Sequence, residues 1–425
     1  MDTPGLAKRG DAVLVGGFLI AVAMWTAGYV CRLPLVAAPA PLLGGLLLLA
    51  ILAGGFLTGR ASGRASAALL AGLLASVVNL LILGALIAKP DGGTAFLPAA
   101  ALWLPGSLVA GALLAGLGGL LGARRPAPVP WLSSAAPGAF AGLTAAATLL
   151  LVVAGGLVTG AEAGMAVPDW PSSFGSNMFL CPLARMTGGI YYEHAHRLFG
   201  TLVGLCALVL AIFLAVRDRR KSVKLFALAI LAAVIVQGVL GGLRVTENDR
   251  WLAAVHATVG QAILGGFVAL AAVASPLWLS DRPRREAAGA RADRGFATVL
   301  LVLVVLQIFL GALVRQLGLS LHAHITGAVV VFVLGLVAGL RLWGLYPAEP
   351  ALRRTGVWLV ALLVLQVALG IAALVAAGAT ADLAKRPPVD VLVTTAHQAT
   401  GALILAAAAL ATVWTRRSLA GSPSG

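Results

Sequence analysis

The chain has 425 residues, of which 60% are hydrophobic and only 11% charged, with a formal net charge of +15. That composition reads as a polytopic membrane protein, and its continuous apolar runs of about 20 residues exclude the alternating strands of a β-barrel. Twenty-one of the 30 basic residues fall in segments on one side of the alternating topology, among them Arg217, Arg219, Arg220, Arg282, Arg284 and Arg285. This is the positive-inside signature of membrane orientation rather than a nucleic-acid surface.

Twelve spans are predicted, at roughly 12–32, 39–59, 66–88, 97–122, 137–159, 192–216, 225–244, 252–278, 295–315, 321–341, 356–378 and 391–414. The first is expected to be a retained helix, because its apolar part is too long for a signal core and no clean cleavage site follows. Residues 1–130 hold four helices without a histidine. The stretch Arg124-Arg125-Pro126-Ala127-Pro128-Val129-Pro130 reads as a linker. Both termini are expected in the cytoplasm.

The remaining eight helices repeat. Odd members carry Gln237-x-x-x-Gly241, Gln307-x-x-x-Gly311 and Gln366-x-x-x-Gly370. The first odd helix offers Gly155-Gly156 in the matching place, without the glutamine. Even members each carry a histidine followed by a glycine: His196 and Gly200, His256 and Gly260, His324 and Gly327, His397 and Gly401. The repeat predicts an all-α fold of two pseudo-two-fold-related four-helix bundles, 131–280 and 281–425, preceded by the four-helix extension 1–130. Each histidine is expected four to seven residues into its helix, about 6–10 Å below the outer end. Residues 160–191 form the longest outer loop, read either as a lid over the first bundle or as an ordinary packed loop.

Ionisable residues inside membrane helices are rare and usually functional. Four histidines in register point to two pairs of axial haem ligands, His196 with His256 and His324 with His397. Two blander readings stand beside this one. Intramembrane histidines also serve as interhelical hydrogen-bonding groups. A dedicated zinc or copper site would usually add cysteine or carboxylate ligands, and none repeats. His194 and His322, in the matching tripeptides His194-Ala195-His196 and His322-Ala323-His324, remain alternative ligands. They otherwise face lipid headgroups, a loop or a neighbouring group.

Glu193 shares a helix face with His196. The repeat has Leu321 there, so a carboxylate in one bundle only suggests that the first bundle does chemistry and the second carries electrons. A surface carboxylate favoured by the helix dipole is the plain alternative. Arg197 reads as a haem propionate contact or an interfacial anchor. Cys31, Cys181 and Cys206 contain no C-x-x-C pair. Cys31 and Cys181 both fall near the outer face, but spacing gives no support for a disulfide.

Glu193-His194-Ala195-His196-Arg197, the loop Pro168-Asp169-Trp170-Pro171 and one histidine per even helix together resemble the haem A synthase family over about 140–415. The resemblance implies that His324 and His397 hold haem b as an electron relay and that His196 and His256 surround the substrate haem O. It implies that Glu193 is the essential acidic residue. The implied reaction oxidises the C8 methyl of haem O to a formyl group through hydroxylated intermediates, for terminal oxidase assembly. Implied partners are haem O synthase, oxidase assembly factors and an unidentified electron acceptor or donor, in a bacterial-type inner membrane. Two features depart from the family. Only Cys181 stands in the first outer loop, with Ser172 and Ser173 nearby, and residues 1–130 match nothing in it.

The main alternative is a dihaem b-type cytochrome acting only as an electron carrier. It explains the histidines but not the solitary Glu193. A transporter would place polar residues near the midplane, whereas the ionisable residues here cluster at the outer helix ends.

Overall fold

The computed structural model describes residues 6–84, 97–129, 132, 136–379 and 387–421. The predicted residues 85–88 of the third span and Pro130 of the linker lie outside them. Twelve helices are long and apolar enough to cross a membrane. They are α1 (Arg9–Arg32), α2 (Ala40–Ser62), α3 (Ala65–Ile82), α4 (Ala100–Ala123), α5 (Ala136–Gly160), α6 (Gly188–Arg217), α7 (Lys221–Thr246), α8 (Arg250–Val273), α9 (Ala290–Leu317), α10 (Leu321–Leu345), α11 (Pro350–Ala379) and α12 (Pro388–Ser418). The chain is an all-α polytopic membrane protein.

Local chemistry sets the helix ends. The Asp249 carboxylate accepts from the Trp251 and Leu252 N–H groups at 2.6 and 3.1 Å and caps α8, satisfying donors that a helix start leaves orphaned. Proline opens α2 and α12, where its missing N–H costs nothing. The left-handed Gly63 and Gly318 stop α2 and α9, a conformation that lacks a steric penalty only for glycine. Several helices outrun their apolar runs: α6 starts at Gly188 and α12 at Pro388. Polar first turns continue a helix once it is nucleated in the membrane, so the four histidines stand between the fourth and tenth residue of their helices, a wider spread than four to seven.

The chain forms two compact units, Met1–Leu151 with Ala163–Arg217, and Val152–Glu162 with Asp218–Gly425. In the first, α4 packs against both α2 and α3, and α1 against α2, α3 and α6. Glycine permits the close approach of α2 to α4: a Cβ on Gly55 or Gly59 would meet the backbone of Ala115 or Gly119. Membrane helices lack a hydrophobic drive towards each other and rely on such backbone proximity. Gly59→Val is expected to destabilise this unit by about 1–3 kcal/mol, read as an earlier thermal transition of the detergent-solubilised protein.

Helix α1 lies along α6 through aromatic contacts. Tyr29 stacks on Tyr191 with centroids 5.9 Å apart, and Trp25 meets Phe199 at 6.2 Å. The Tyr191 hydroxyl donates to the Tyr29 carbonyl at 2.7 Å, and Arg217 pairs with Asp11 at the other end. The N-terminal extension thereby braces the helix that carries Glu193 and His196.

In the second unit, α8 contacts α7, α9 and α12, α9 contacts α10 and α12, and α11 contacts α10 and α12. Leu300, Val304, Leu359, Leu363, Ile404 and Leu405 fill its core. Below them Asp293 accepts from Arg341 Nε at 2.6 Å and from the Tyr346 hydroxyl. Two three-residue strands, Arg285–Ala287 and Leu419–Gly421, pair in parallel and tie the 281–294 loop to the end of α12.

Candidate functional site

In the first unit the site is built from α6 and the outer loop. Glu193 is 3% exposed and both of its carboxylate oxygens are engaged. Oε1 pairs with Arg197, one turn on, at 2.6 Å, and Oε2 accepts from the Val167 N–H at 2.8 Å. Arg197 donates further to the carbonyls of Val167 and Asp169, each at 2.6 Å, and of Ser172 at 3.3 Å. The i,i+4 spacing places the two charges on one helix face, and the guanidinium fork converts that pair into a clamp on the loop. A propionate reaching Arg197 would share it with these acceptors.

The clamp orders the Pro168-Asp169-Trp170-Pro171 segment, whose Trp170–Pro171 bond is cis. Asp169 caps the tight turn beyond it, accepting from the Phe174 and Gly175 N–H groups at 2.7 and 2.8 Å. Burial acts to raise the Asp169 pKa, but hydrogen bonds from Ser172, Gly175 and Phe174 outweigh it and hold the carboxyl below its ordinary value. The turn therefore holds the charged form. Its contribution is complete above the ordinary aspartate range of about 3.9 and fades as pH falls through the depressed value. Asp169→Ala is expected to expose the loop, with limited trypsin digestion at the exposed Arg185 accelerated severalfold over the unsubstituted protein.

His194 is fully buried, with Nδ1 3.2 Å from the Ser173 hydroxyl. Of the environments expected for it, the structure gives a loop neighbour. His322 is exposed. His196 lies in the first unit, one turn after Glu193. Cys31, Cys181 and Cys206 are buried free thiols, so Cys31 and Cys181 do not pair. Burial pushes the Cys181 thiol up, which disfavours its nucleophilic thiolate form.

The second unit brings two histidines together. The His324 and His397 rings lie 6.4 Å apart between centroids, at 80° to each other. Two metal–nitrogen bonds of about 2 Å each, plus the half-width of each ring, come to about 6 Å, so the spacing suits one metal atom between the rings. Nδ1 of His397 and Nδ1 of His256 are buried without a hydrogen-bond partner among the described residues. Each ring rests on glycine. A Cβ on Gly311 or Gly370 would stand 2.9 or 3.1 Å from the Cε1 of His324 or His397, and one on Gly241 2.8 Å from that of His256. The absence of Cβ there lets an imidazole lie against the neighbouring helix.

The described residues thus combine twelve helices long and apolar enough to cross a membrane with a facing histidine pair and a buried, loop-clamped glutamate. Residues 138–326, spanning α5 to the first turn of α10, match the family described as cytochrome oxidase assembly protein. The match takes in Glu193, His196, His256 and His324. Haem A synthase of Agrobacterium fabrum is 32% identical over 142 residues, which is 31% of this chain and 36% of that protein. Haem A synthase of Azorhizobium caulinodans is 29% identical over 217 residues, 42% of this chain and 59% of that protein. The chain thus spans between about a third and three-fifths of the curated relatives it matches. Through this region the chain is similar to haem A synthases.

Proposed function

We propose that the protein is a haem A synthase, converting the C8 methyl group of haem O to a formyl group. The observation that carries this reading is Glu193: a single buried carboxylate, one turn from His196, on only one of the matching histidine helices. The overall change, R–CH3 + H2O → R–CHO + 4 H⁺ + 4 e⁻, requires a proton acceptor, a route for electrons and a water supply. The first product is the hydroxymethyl form.

In this reading residues 131–280 form the substrate bundle, with His196 and His256 as ligands of haem O, and residues 281–425 form the electron-relay bundle. His324 and His397 would hold haem b, which supplies one-electron redox chemistry when bound. Glu193 takes up a proton released at the methyl carbon or stabilises positive charge developing there. Arg197 fixes the carboxylate and draws the 160–191 loop over it, limiting access of bulk water. The glycines beneath the rings of His256, His324 and His397 let each imidazole lie against the neighbouring helix. Residues 1–130 support α6. The protein is assigned to a bacterial-type inner membrane with both termini cytoplasmic. Haem O synthase and oxidase assembly factors are expected partners, and the electron acceptor is a separate component.

The test is chemical. The full chain is expressed in a host that supplies haem O, and the extracted pigments are separated and weighed by mass spectrometry. Haem A or its hydroxylated precursor is expected. Haem b alone, with haem O available, would favour the dihaem b-type cytochrome and overturn the proposal.

A further inference from the structure

Three of the four histidine helices are joined to their preceding helix by the same pair of contacts. In each, the glutamine of Gln-x-x-x-Gly lies against the glycine that follows the histidine, and the glycine of that motif lies against the histidine ring. A Cβ on Gly260 would stand 2.9 Å from Gln237 Nε2 and one on Gly401 3.5 Å from Gln366 Nε2, while one on Gly327 would meet Gln307 Oε1. The glutamine amide donates to the histidine's own backbone carbonyl, Gln237 to His256 at 2.8 Å and Gln307 to His324 at 2.7 Å. It also reaches the rings: Gln307 Nε2 is 3.0 Å from Nδ1 of His324, and Gln366 Nε2 is 3.4 Å from Nε2 of His397.

All three glutamines leave Oε1 buried and without a hydrogen-bond partner among the described residues. Leaving a buried amide oxygen so is unfavourable, and the fold accepts it three times while the amide lies against a histidine or the glycine that follows it. The orientation of a metal-ligating imidazole is fixed by the groups that hold it from outside. The amide nitrogen of Gln307 lies beside both the ring and the carbonyl of His324.

We infer that Gln237, Gln307 and Gln366 are positioning residues for His256, His324 and His397, holding each histidine in register through the amide's contacts with the histidine's carbonyl, its ring or the glycine that follows it. This rests on the haem-binding reading above. The fourth helix pair lacks the device. Leu151 occupies the glutamine's place, with Cδ2 4.0 Å from where a Cβ on Gly200 would stand. The helix bearing Glu193 and His196 is thus paired with one that carries leucine where the other three carry glutamine.

The test uses the full chain purified with its haem, reading haem content per chain and the low-spin electron paramagnetic resonance spectrum. Gln307→Leu and Gln366→Leu are each expected to weaken haem retention about 10–100-fold and to shift the low-spin signal of the His324–His397 site. Gln307→Met, which keeps length and volume without the amide donor, is expected to lose retention as the leucine variant does. Gln237→Leu is expected to leave that signal unchanged. Wild-type content and spectrum in both leucine variants would overturn the inference while leaving the haem reading intact. Wild-type retention in Gln307→Met, or loss of the His324–His397 signal in Gln237→Leu, would also overturn it, by showing a general packing effect. A wild-type protein without haem would overturn the haem reading, and the inference with it.

Discussion

Glu193→Ala is expected to lower haem A formation by about 10²–10⁴-fold while the haem held by the second unit keeps its wild-type spectrum. The measurement is haem A produced per purified chain, with the optical spectrum recorded on the same sample. Alanine also removes the partner of Arg197 and the acceptor of the Val167 N–H, so loop disorder would contribute to the loss. Glu193→Gln separates the two effects. Its one amide oxygen still accepts from Val167 or Arg197, and Arg197 keeps its three loop carbonyls, but the amide has no charge and little basicity. The account predicts that Glu193→Gln loses activity nearly as far as alanine, with trypsin digestion at Arg185 unchanged. Substantial activity in the glutamine variant would assign Glu193 to loop anchoring alone.

His324→Ala and His397→Ala are each expected to abolish the bis-imidazole low-spin spectrum and, with it, turnover. The two rings lie 6.4 Å apart, and in the proposed reading removal of either leaves the haem with one ligand. Axial ligands set much of a haem's potential and spin state, so the loss is qualitative rather than graded. His322→Ala, at an exposed position, is expected to leave the spectrum as it was. A wild-type spectrum in His324→Ala together with its loss in His322→Ala would move the ligand to the neighbouring histidine.

Twelve spans are legible in the sequence because each crossing needs an unbroken apolar run, and such runs survive any packing arrangement. Their ends are less so. Helix α6 continues outward over Gly188–Tyr191 because a helix, once formed, accepts a polar first turn, and hydropathy reports lipid contact rather than backbone hydrogen bonding. The register of the histidines is visible, as is the Gln-x-x-x-Gly repeat. What the glutamines touch is not, since Gln366 and His397 are 31 residues apart and helical periodicity speaks only to neighbours three and four positions away.

Arg197 shows the same limit. Sequence position alone offered a propionate or the membrane interface, whereas the structure commits its amino groups to Glu193 and to carbonyls of the 160–191 loop. Irregular loops carry no periodic signal, and their backbone acceptors have no side-chain signature. His194 likewise lies about 200° from His196 on a helical wheel, yet it is buried because the loop returns Ser173 to it. The bracing of α6 by α1 was hidden for another reason: aromatic residues such as Trp25 and Tyr29 read equally as lipid-facing anchors.

The most direct test of the central claim is the reduced-minus-oxidised optical spectrum of membranes from a bacterium lacking its own haem A synthase but retaining haem O synthase and an a-type oxidase, after introduction of this chain. The account predicts that an a-type oxidase band appears with the intact chain and not with Glu193→Gln. Membranes that show added b-type haem but no a-type band, with the chain present in full amount, would contradict it.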